Sequence, residues 1–529
     1  MNTDKRGFLS AFHLFELIAL LLILSLAAYL RLANQPNNPG WYTDEGTHLN
    51  IAQNLLRGHV QYMAINQSTL LFAKLPLFDL LLAGLLRILG GGMDTLRAFT
   101  GTLGVVSVGL LYWVVRRTQK GQGVDLALLA ALMLAIYPQA ILYSRFGFSY
   151  NLLTPLVMLT TLGLWEYLNT WRRAWLALAA LAVGIGAVSD LMMLSLVLPL
   201  ILVVSVRRRR DALWSILLVA LPFGLYATPM LINTPHAFLF DLQFTLSRLR
   251  GIPLVKQFTS IARNYTILIA QDAWIAVAVV GLFLLRPLSL RRLSLLLFLL
   301  PIIILGGTVA LYSLTFYYMI PLLPFVALGV AALVRYGVPH VGQAVRGALL
   351  ALFERWEWRL DRSGGLQTGL LAAGAYLALM LIVVTPFLTS VALTVDRVHG
   401  NFGTAIDAFL IDPEAALRVA EFVNGHLRTG DVIITSPAVG WLIQANTADF
   451  QMAVAATGQA TAHLPADIPA DRFAFDPRYT QARFVVVDNL WRNWGAVHVP
   501  QVSALMRQVE TWPLVFRAGE IAVYGNPAR

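Results

Sequence analysis

The chain has 529 residues, 58% of them hydrophobic and 13% charged. An average soluble domain is about 25% charged, so this composition excludes a soluble enzyme, and its repeated apolar runs of roughly twenty residues read as transmembrane helices. The net charge of +11 does not indicate a nucleic-acid partner, because the positive residues sit in clusters between apolar runs, the pattern that marks cytoplasmic loops.

The first apolar run covers residues 14–33. It is longer than a signal-peptide core and lacks a small-residue cleavage site, so it reads as retained, with the N-terminus and Lys5-Arg6 inside. Residues 34–96 then form an outer loop far longer than a connection needs. Within it, Leu49, Ala52, Leu55 and Leu56 recur at helical spacing. The run "PLFDLLLAGLLRIL" at 76–89 carries Asp79 and Arg87. If that run crossed the bilayer, Arg116 would fall outside, so it reads as a helix lying along the interface.

Further spans are expected at 97–115, 124–142, 151–169, 174–188, 190–206, 212–232, 273–286, 293–313, 316–335 and 367–391, about eleven in all with the first. They leave Arg116-Arg117-Lys120, Arg172-Arg173, Arg207 to Arg210, Arg286-Arg291-Arg292 and the arginines from Arg335 to Arg362 on the cytoplasmic side. Residues 233–272 read as a second surface-lying segment. From 392 to 529 the composition becomes that of a soluble domain. "GDVIITS" and "ARFVVVDN" read as strands, and "PEAALRVAEFVNGHL" as a helix opened by Asp412-Pro413. The expected organisation is a membrane domain, 1–391, and an extracytoplasmic α/β domain, 392–529.

The residues that could carry chemistry gather at the outer rim. Asp44 and Glu45, in "WYTDEGTHLNIAQNLLRG", stand where the chain leaves the membrane. They suit the N-terminus of a surface helix, but acids at a bilayer rim are costly and tend to be functional. Arg145, in "LYSRFGFSYN", lies at the outer end of a span, as do Arg97 and, in the loop, Lys74. An arginine fork suits a phosphate. Tyr317 and Tyr318 open the span at 316–335 and on their own read as interfacial belt residues. His48, three residues after Glu45, could join an acidic site or be a solvated loop histidine; with His59 and His236 it shows no metal-ligand spacing. "GIGAVS" at 184–189 reads as close helix packing rather than a phosphate loop. There is no cysteine.

The order of these features resembles the GT-C-fold, polyprenyl-phosphate-sugar-dependent glycosyltransferases, the group of the protein O-mannosyltransferases and the lipid A aminoarabinose transferase. The resemblance covers residues 14 to 336. It rests on Asp44-Glu45-Gly46 followed by Leu49, Ala52, Leu55, Leu56 and Gly58, on Lys74-Leu75-Pro76-Leu77, on Arg97, on Ser144-Arg145, and on Tyr318 with Pro321 and Pro324. It implies an inverting transferase at the cell membrane that moves a sugar from a polyprenyl-phosphate donor to an extracytoplasmic protein, lipid or glycan. Asp44 would be the catalytic base with Glu45 a second acid, and Lys74, Arg97 and Arg145 would hold the lipid phosphate. His48, Tyr150, Asn151, Tyr317 and Tyr318 would line the donor and acceptor cavity.

Two departures stand out. Leu75 replaces the first of two prolines, and Tyr150, followed by Asn151, replaces an acid. These leave the acceptor side and a requirement for a divalent metal ion open. The tail either binds the acceptor, shields the cleft or is an inert cap. The rival reading is a polytopic lipid or solute transporter or flippase, which would place charges deep within spans and show broken inverted repeats.

Overall fold

The first apolar run forms one helix, α1 (Thr3–Leu32), in a computed structural model that describes residues 3–67, 75–119, 124–206, 208–247, 254–308, 316–337 and 364–529. The outer loop supplies α2 (Thr43–Leu56), a two-strand hairpin, β1 (Gln61–Tyr62) with β2 (Ile65–Asn66), and α3 (Pro76–Leu89). Pro76 takes the first helical position of α3, where its missing N–H costs nothing. One face of α3 buries Phe78, Leu82 and Leu86, while Leu80, Leu81, Ile88 and Leu89 stay exposed, as suits a helix half sunk in an interface.

The helical body follows. It comprises α4 (Met93–Thr118), α5 (Val124–Ile136), α6 (Pro138–Ser144), α7 (Tyr150–Thr170), α8 (Arg173–Ala187), α9 (Val197–Ser205) and α10 (Arg209–Asn233). Next come α11 (Pro235–Ser247), α12 (Leu254–Gln271), α13 (Trp274–Phe283), α14 (Leu288–Thr308) and α15 (Leu323–Ala332). Then α16 (Gly364–Gly400) leads into the tail. Among the described residues five helices are long and apolar enough to cross a membrane, or seven if two bent pairs each count as one span. The spans expected at 124–142 and 273–286 belong to those bent pairs, with bends of 57° at Pro138 and 103° between α12 and α13.

Both bends have a local cause. Pro138 has no N–H to give the carbonyl of Leu134. Arg31 of α1, itself buried, donates instead to the carbonyls of Leu134 and Ala135, each at 2.8 Å. At the second bend the Asp272 carboxylate accepts from the N–H of Trp274 at 2.9 Å and opens α13. The Tyr137 hydroxyl donates to Asp272, so the two breaks brace one another. Deeper in the body α13 and α15 nearly touch: a Cβ on Gly281 would lie 1.8 Å from the carbonyl oxygen of Gly329, the close approach that small residues permit between membrane helices.

The tail begins where α16 ends at Gly400, so the expected boundary at 391/392 falls inside that helix. The expected helix forms as α17 (Pro413–Gly425), with the Asp412 side chain accepting from the N–H of Glu414. The two expected strands form β3 (Val432–Ile434) and β5 (Ala482–Val487). The sequence reading missed β4 (Asn446–Ala448), β6 (Leu514–Ala518) and β7 (Ile521–Gly525). The sheet order is β4-β3-β5-β7-β6, parallel across β4, β3 and β5 and antiparallel beyond.

The tail is not detached. Trp41, Leu49, Phe78, Leu82 and Leu96 share one apolar core with Ala415, Val419, Ile433, Val439 and Val523. Gly46 of α2 lies so close to the turn at Pro437–Gly440 that a Cβ there would sit 1.9 Å from the Pro437 carbonyl oxygen.

Candidate active site

The site is built on the first turn of α2. Glu45 is fully buried, and its carboxylate accepts four hydrogen bonds. Oε1 accepts from Arg97 Nε at 2.7 Å and from the N–H of Gly147 at 2.7 Å. Oε2 accepts from Arg97 Nη2 at 2.7 Å and from the N–H of Tyr42 at 2.8 Å. The last of these closes the helix start on itself, as an acid at the third helical position does. The others tie α2 to α4 and to the turn before α7. A buried carboxylate is tolerable only when so fully paired.

Arg97 and Arg145 differ from expectation. Arg97 is fully buried. Besides its two bonds to Glu45 it donates to the carbonyls of Pro36, Pro39 and Gly40. All five of its N–H groups are thereby used inside the protein. Arg145, also fully buried, donates to the carbonyls of Leu30, Ala33, Asn34 and Asn38 at 2.8–3.0 Å. Neither guanidinium is arranged as a phosphate clamp. Together they gather the 33–40 loop, whose turns and bends leave its carbonyls without helical partners, and fix the approach of the chain to Asp44. Asn38 continues this bracing by donating to Val398 at the end of α16 and accepting from the N–H of Phe402.

His48 and Asn151 also turn inward. His48 Nδ1 lies 2.6 Å from Asp79 Oδ1, and its ring packs edge-on against Phe78, so it joins α2 to α3 instead of facing a cavity. Asn151 donates to the carbonyls of Tyr143, Phe146 and Phe148 and holds the turn before α7. Lys74 lies outside the described residues.

Asp44, Tyr150, Tyr317 and Tyr318 do come together. Asp44 is half-buried at the start of α2, and its negative charge acts on Tyr42, Tyr62, Tyr150 and Tyr318. Tyr150 stacks on Tyr317 with ring centres 5.5 Å apart and meets Tyr318 edge-on at 5.5 Å. Phe148 bridges this pair to Tyr42, at 5.9 and 5.2 Å. The result is an aromatic wall within reach of the half-buried Asp44 carboxylate.

Two acids escaped the sequence reading as site residues. Asp190, whose side chain opens the turn Leu191–Leu196 by accepting from the N–H of Met192, acts on Tyr150 and Tyr318. Asp407 acts on Tyr42 and Tyr143. An acid interrupting an apolar run was the available signal for Asp190; no local pattern marks Asp407. Burial, then the charges of Asp407 and Asp44, push the Tyr42 hydroxyl well above its usual range. Burial likewise raises the Asp407 carboxyl, opposed by the hydrogen bond from the N–H of Phe409. Among the described residues no group of three or more His, Asp or Glu is placed to hold a metal ion.

Residues 73–235 match the family described as dolichyl-phosphate-mannose-protein mannosyltransferase. No curated protein matches the chain in sequence. Among solved structures, ArnT from Cupriavidus metallidurans bound to undecaprenyl phosphate is similar at 15% identity, with 98% of each chain covered and a TM-score of 0.59. The apo state of that protein gives 13% and 0.58, again over 98% of each chain. The archaeal oligosaccharyltransferase AglB from Archaeoglobus fulgidus, in complex with an inhibitory peptide and a dolichol-phosphate, gives 12% identity and a TM-score of 0.52. That match covers 94% of this chain and 72% of AglB. At these identities the likeness is one of fold, and the chain is a polytopic membrane protein with the GT-C fold, carrying a C-terminal α/β domain.

Proposed function

We propose that this protein is an inverting membrane glycosyltransferase that moves a sugar from a polyprenyl-phosphate donor to an acceptor hydroxyl or amine at the outer membrane surface. The observation that carries this reading is Asp44, a half-buried carboxylate whose charge reaches Tyr150 and Tyr318 of the aromatic wall, while its neighbour Glu45 is committed to Arg97 and to the N–H groups of Gly147 and Tyr42. The mannosyltransferase match over 73–235 and the fold likeness to ArnT bound to undecaprenyl phosphate support the same chemistry.

In the proposed step Asp44 accepts the proton of the acceptor O–H or N–H. The freed pair attacks the anomeric carbon, and the bond from that carbon to the phosphate oxygen breaks on the opposite face. Its electrons leave with the polyprenyl phosphate, and the configuration inverts. The tyrosine rings bury the apolar face of the sugar. Of the three cations, Lys74 is the candidate for the fixed charge that a departing phosphate needs, since Arg97 donates to Glu45 and the 33–40 loop and Arg145 to Leu30 and that loop. The basic clusters favour an N-terminus in the cytoplasm with the tail and Asp44 outside, and the reading places the protein at the cell membrane. The core that the tail shares with α2, α3 and α4 supports a role for it as a wall of the acceptor side.

The test is a comparison of cell-envelope glycans and glycoproteins by mass spectrometry with the wild-type gene, without it, and with Asp44→Asn. The reading expects one sugar modification to vanish in both altered strains. An unchanged envelope in both would refute it, and solute or lipid movement without a sugar product would favour a transporter.

A further inference from the structure

Away from Asp44, α15 runs from the Tyr317–Tyr318 turn to a π-helical turn at Leu333–Gly337, about 20 Å farther along the helix axis. A cavity of about 370 Å³ opens there, between the end of α13 and the start of α14. Its apolar lining is Phe283, Leu284, Leu285 and Leu288, and its polar lining is Arg286, Arg291 and Tyr336. This is the end of the body that carries the basic clusters, and it takes no part in the proposed transfer.

The charge in this cavity is of one sign. Arg291 spends one N–H on the carbonyl of Phe283 at 2.8 Å, which draws its guanidinium over the end of α13. The backbone carbonyl of Arg286 accepts from the Gln119 side chain, which pins the corner that carries its side chain. The positive charge of Arg286 acts on Tyr336. The carboxylate whose field also reaches Tyr336 is Asp125, and Arg335 pairs with it. Among the described residues no carboxylate forms an ion pair with Arg286 or Arg291. Two guanidiniums lining a pocket beside apolar side chains match an anionic head joined to an apolar body. A guanidinium binds phosphate oxygens two at a time, and basic pockets between membrane helices on the cytoplasmic side favour phosphate headgroups.

We infer that this cavity binds a phosphate-bearing anion through Arg286 and Arg291, as a site separate from the Asp44 cavity. The ligand is either an anionic lipid headgroup or a soluble phosphate compound; the two share the chemistry that the arginines recognise.

The experiment uses the full-length protein in mild detergent and native mass spectrometry. Phosphatidylglycerol, phosphatidylcholine and inorganic phosphate are the probes, and wild type is compared with the Arg286→Ala/Arg291→Ala double variant. The expected result is preferential retention of phosphatidylglycerol by wild type and an apparent affinity at least about tenfold weaker in the double variant. Retention that survives excess inorganic phosphate identifies a lipid headgroup; displacement by inorganic phosphate identifies a soluble phosphate. Leu288→Trp keeps both charges and fills the space, and it should lose the ligand as well, which covers the case in which the double variant does not fold. Equal binding of phosphatidylglycerol and phosphatidylcholine, or undiminished retention by both variants, overturns the inference.

Discussion

Arginine does different work at the two ends of this molecule. Around α2, Arg97 and Glu45 pair with neither side chain reaching solvent, and Arg472 and Asp241 pair at 2% and 0% exposure. At the other end Arg117, Arg173 and Arg335 pair with acids while 57%, 63% and 48% of each arginine side chain remains exposed. Exposed cations interact with water and lipid headgroups and set which way the chain faces. Sealed cations instead satisfy carbonyls and carboxylates that the fold has stripped of water. An arginine near the outer rim is therefore not by itself a ligand site; the count of its engaged N–H groups decides.

The sharpest test of this contrast leaves the arginines alone. Asp44 is the charged group of the α2 turn that is neither sealed like Glu45 nor fully solvated, and the proposal makes it the base. Asp44→Asn should lower turnover by about 10²–10⁴-fold with donor affinity little changed, read as release of polyprenyl phosphate under saturating donor. Its thermal stability should stay near wild type. A native rate would remove Asp44 from the reaction.

Arg97→Leu comes next. It leaves the buried Glu45 carboxylate without its cation, held only by the N–H groups of Tyr42 and Gly147, and takes the Arg97 donors from three loop carbonyls; breaking a buried pair in this way costs about 3–5 kcal/mol. The loss should appear as a lowered melting temperature in detergent, with activity lost because α2 is displaced. Arg97→Lys should not restore it, since an ammonium cannot present the planar fork that meets both Glu45 oxygens.

A buried acid without a cation extends the comparison to the tail. Asp449 follows β4, and among the described residues it has no ionic partner. Its carboxylate accepts from the N–H of Met452 at 2.7 Å. Burial pushes its pKa up to about 6 against that hydrogen bond, above the unfolded value near 3.9. Between about pH 4 and about pH 6 the folded chain thus holds the extra proton, and the stability this group contributes is complete below that window and lost as pH rises through it. Asp449→Asn keeps the helix cap and removes the titration. Above pH 6 it should be more stable than wild type by up to roughly 3 kcal/mol, and the two should converge near pH 4. A constant offset across that range would show that Asp449 does not titrate there.

Gly46→Ala probes the seam between α2 and the tail. The added methyl meets the Pro437 carbonyl oxygen, and overpacking of this kind costs about 1–3 kcal/mol. If the tail helps to place Asp44, turnover should fall more than acceptor affinity. If activity is untouched, the tail is only a cover.

The contrast also marks what the sequence could disclose. The apolar runs, the half-buried α3, the Asp412 cap and strands β3 and β5 each rest on neighbours within a few residues, so they were legible. The proximity of Asp44, Tyr150, Tyr317 and Tyr318 is what the resemblance implies from the order of motifs. The partners of Arg97 and Arg145 were not, because those are carbonyls of a loop whose path depends on three separate helices. His48 failed for the same reason: Asp79 sits 31 residues away. Strand β6 does not show in the sequence because its edge position leaves Leu514, Val515 and Arg517 exposed, and β7, paired on both sides, buries Ile521, Ala522 and Val523 in succession; neither has the alternation that announces a half-buried strand.

The smallest effect is the one that would most directly break the contrast. Arg173 reaches the buried Asp211 with its side chain 63% exposed, and Asp211 also accepts from the Tyr167 hydroxyl at 2.8 Å. Removing the arginine leaves that second donor in place and opens the carboxylate to the water Arg173 already touches. Arg173→Ala should therefore cost no more than about 1 kcal/mol. The deficit should shrink as salt rises, because charges in water are screened over about 10 Å at 0.1 M salt. The Arg97→Leu deficit should not move with salt, since no ions enter its site. Melting curves of both variants at low and high salt decide the matter. A cost for Arg173→Ala equal to that of Arg97→Leu, or the same salt response in both, would mean that the two ends do not differ in kind.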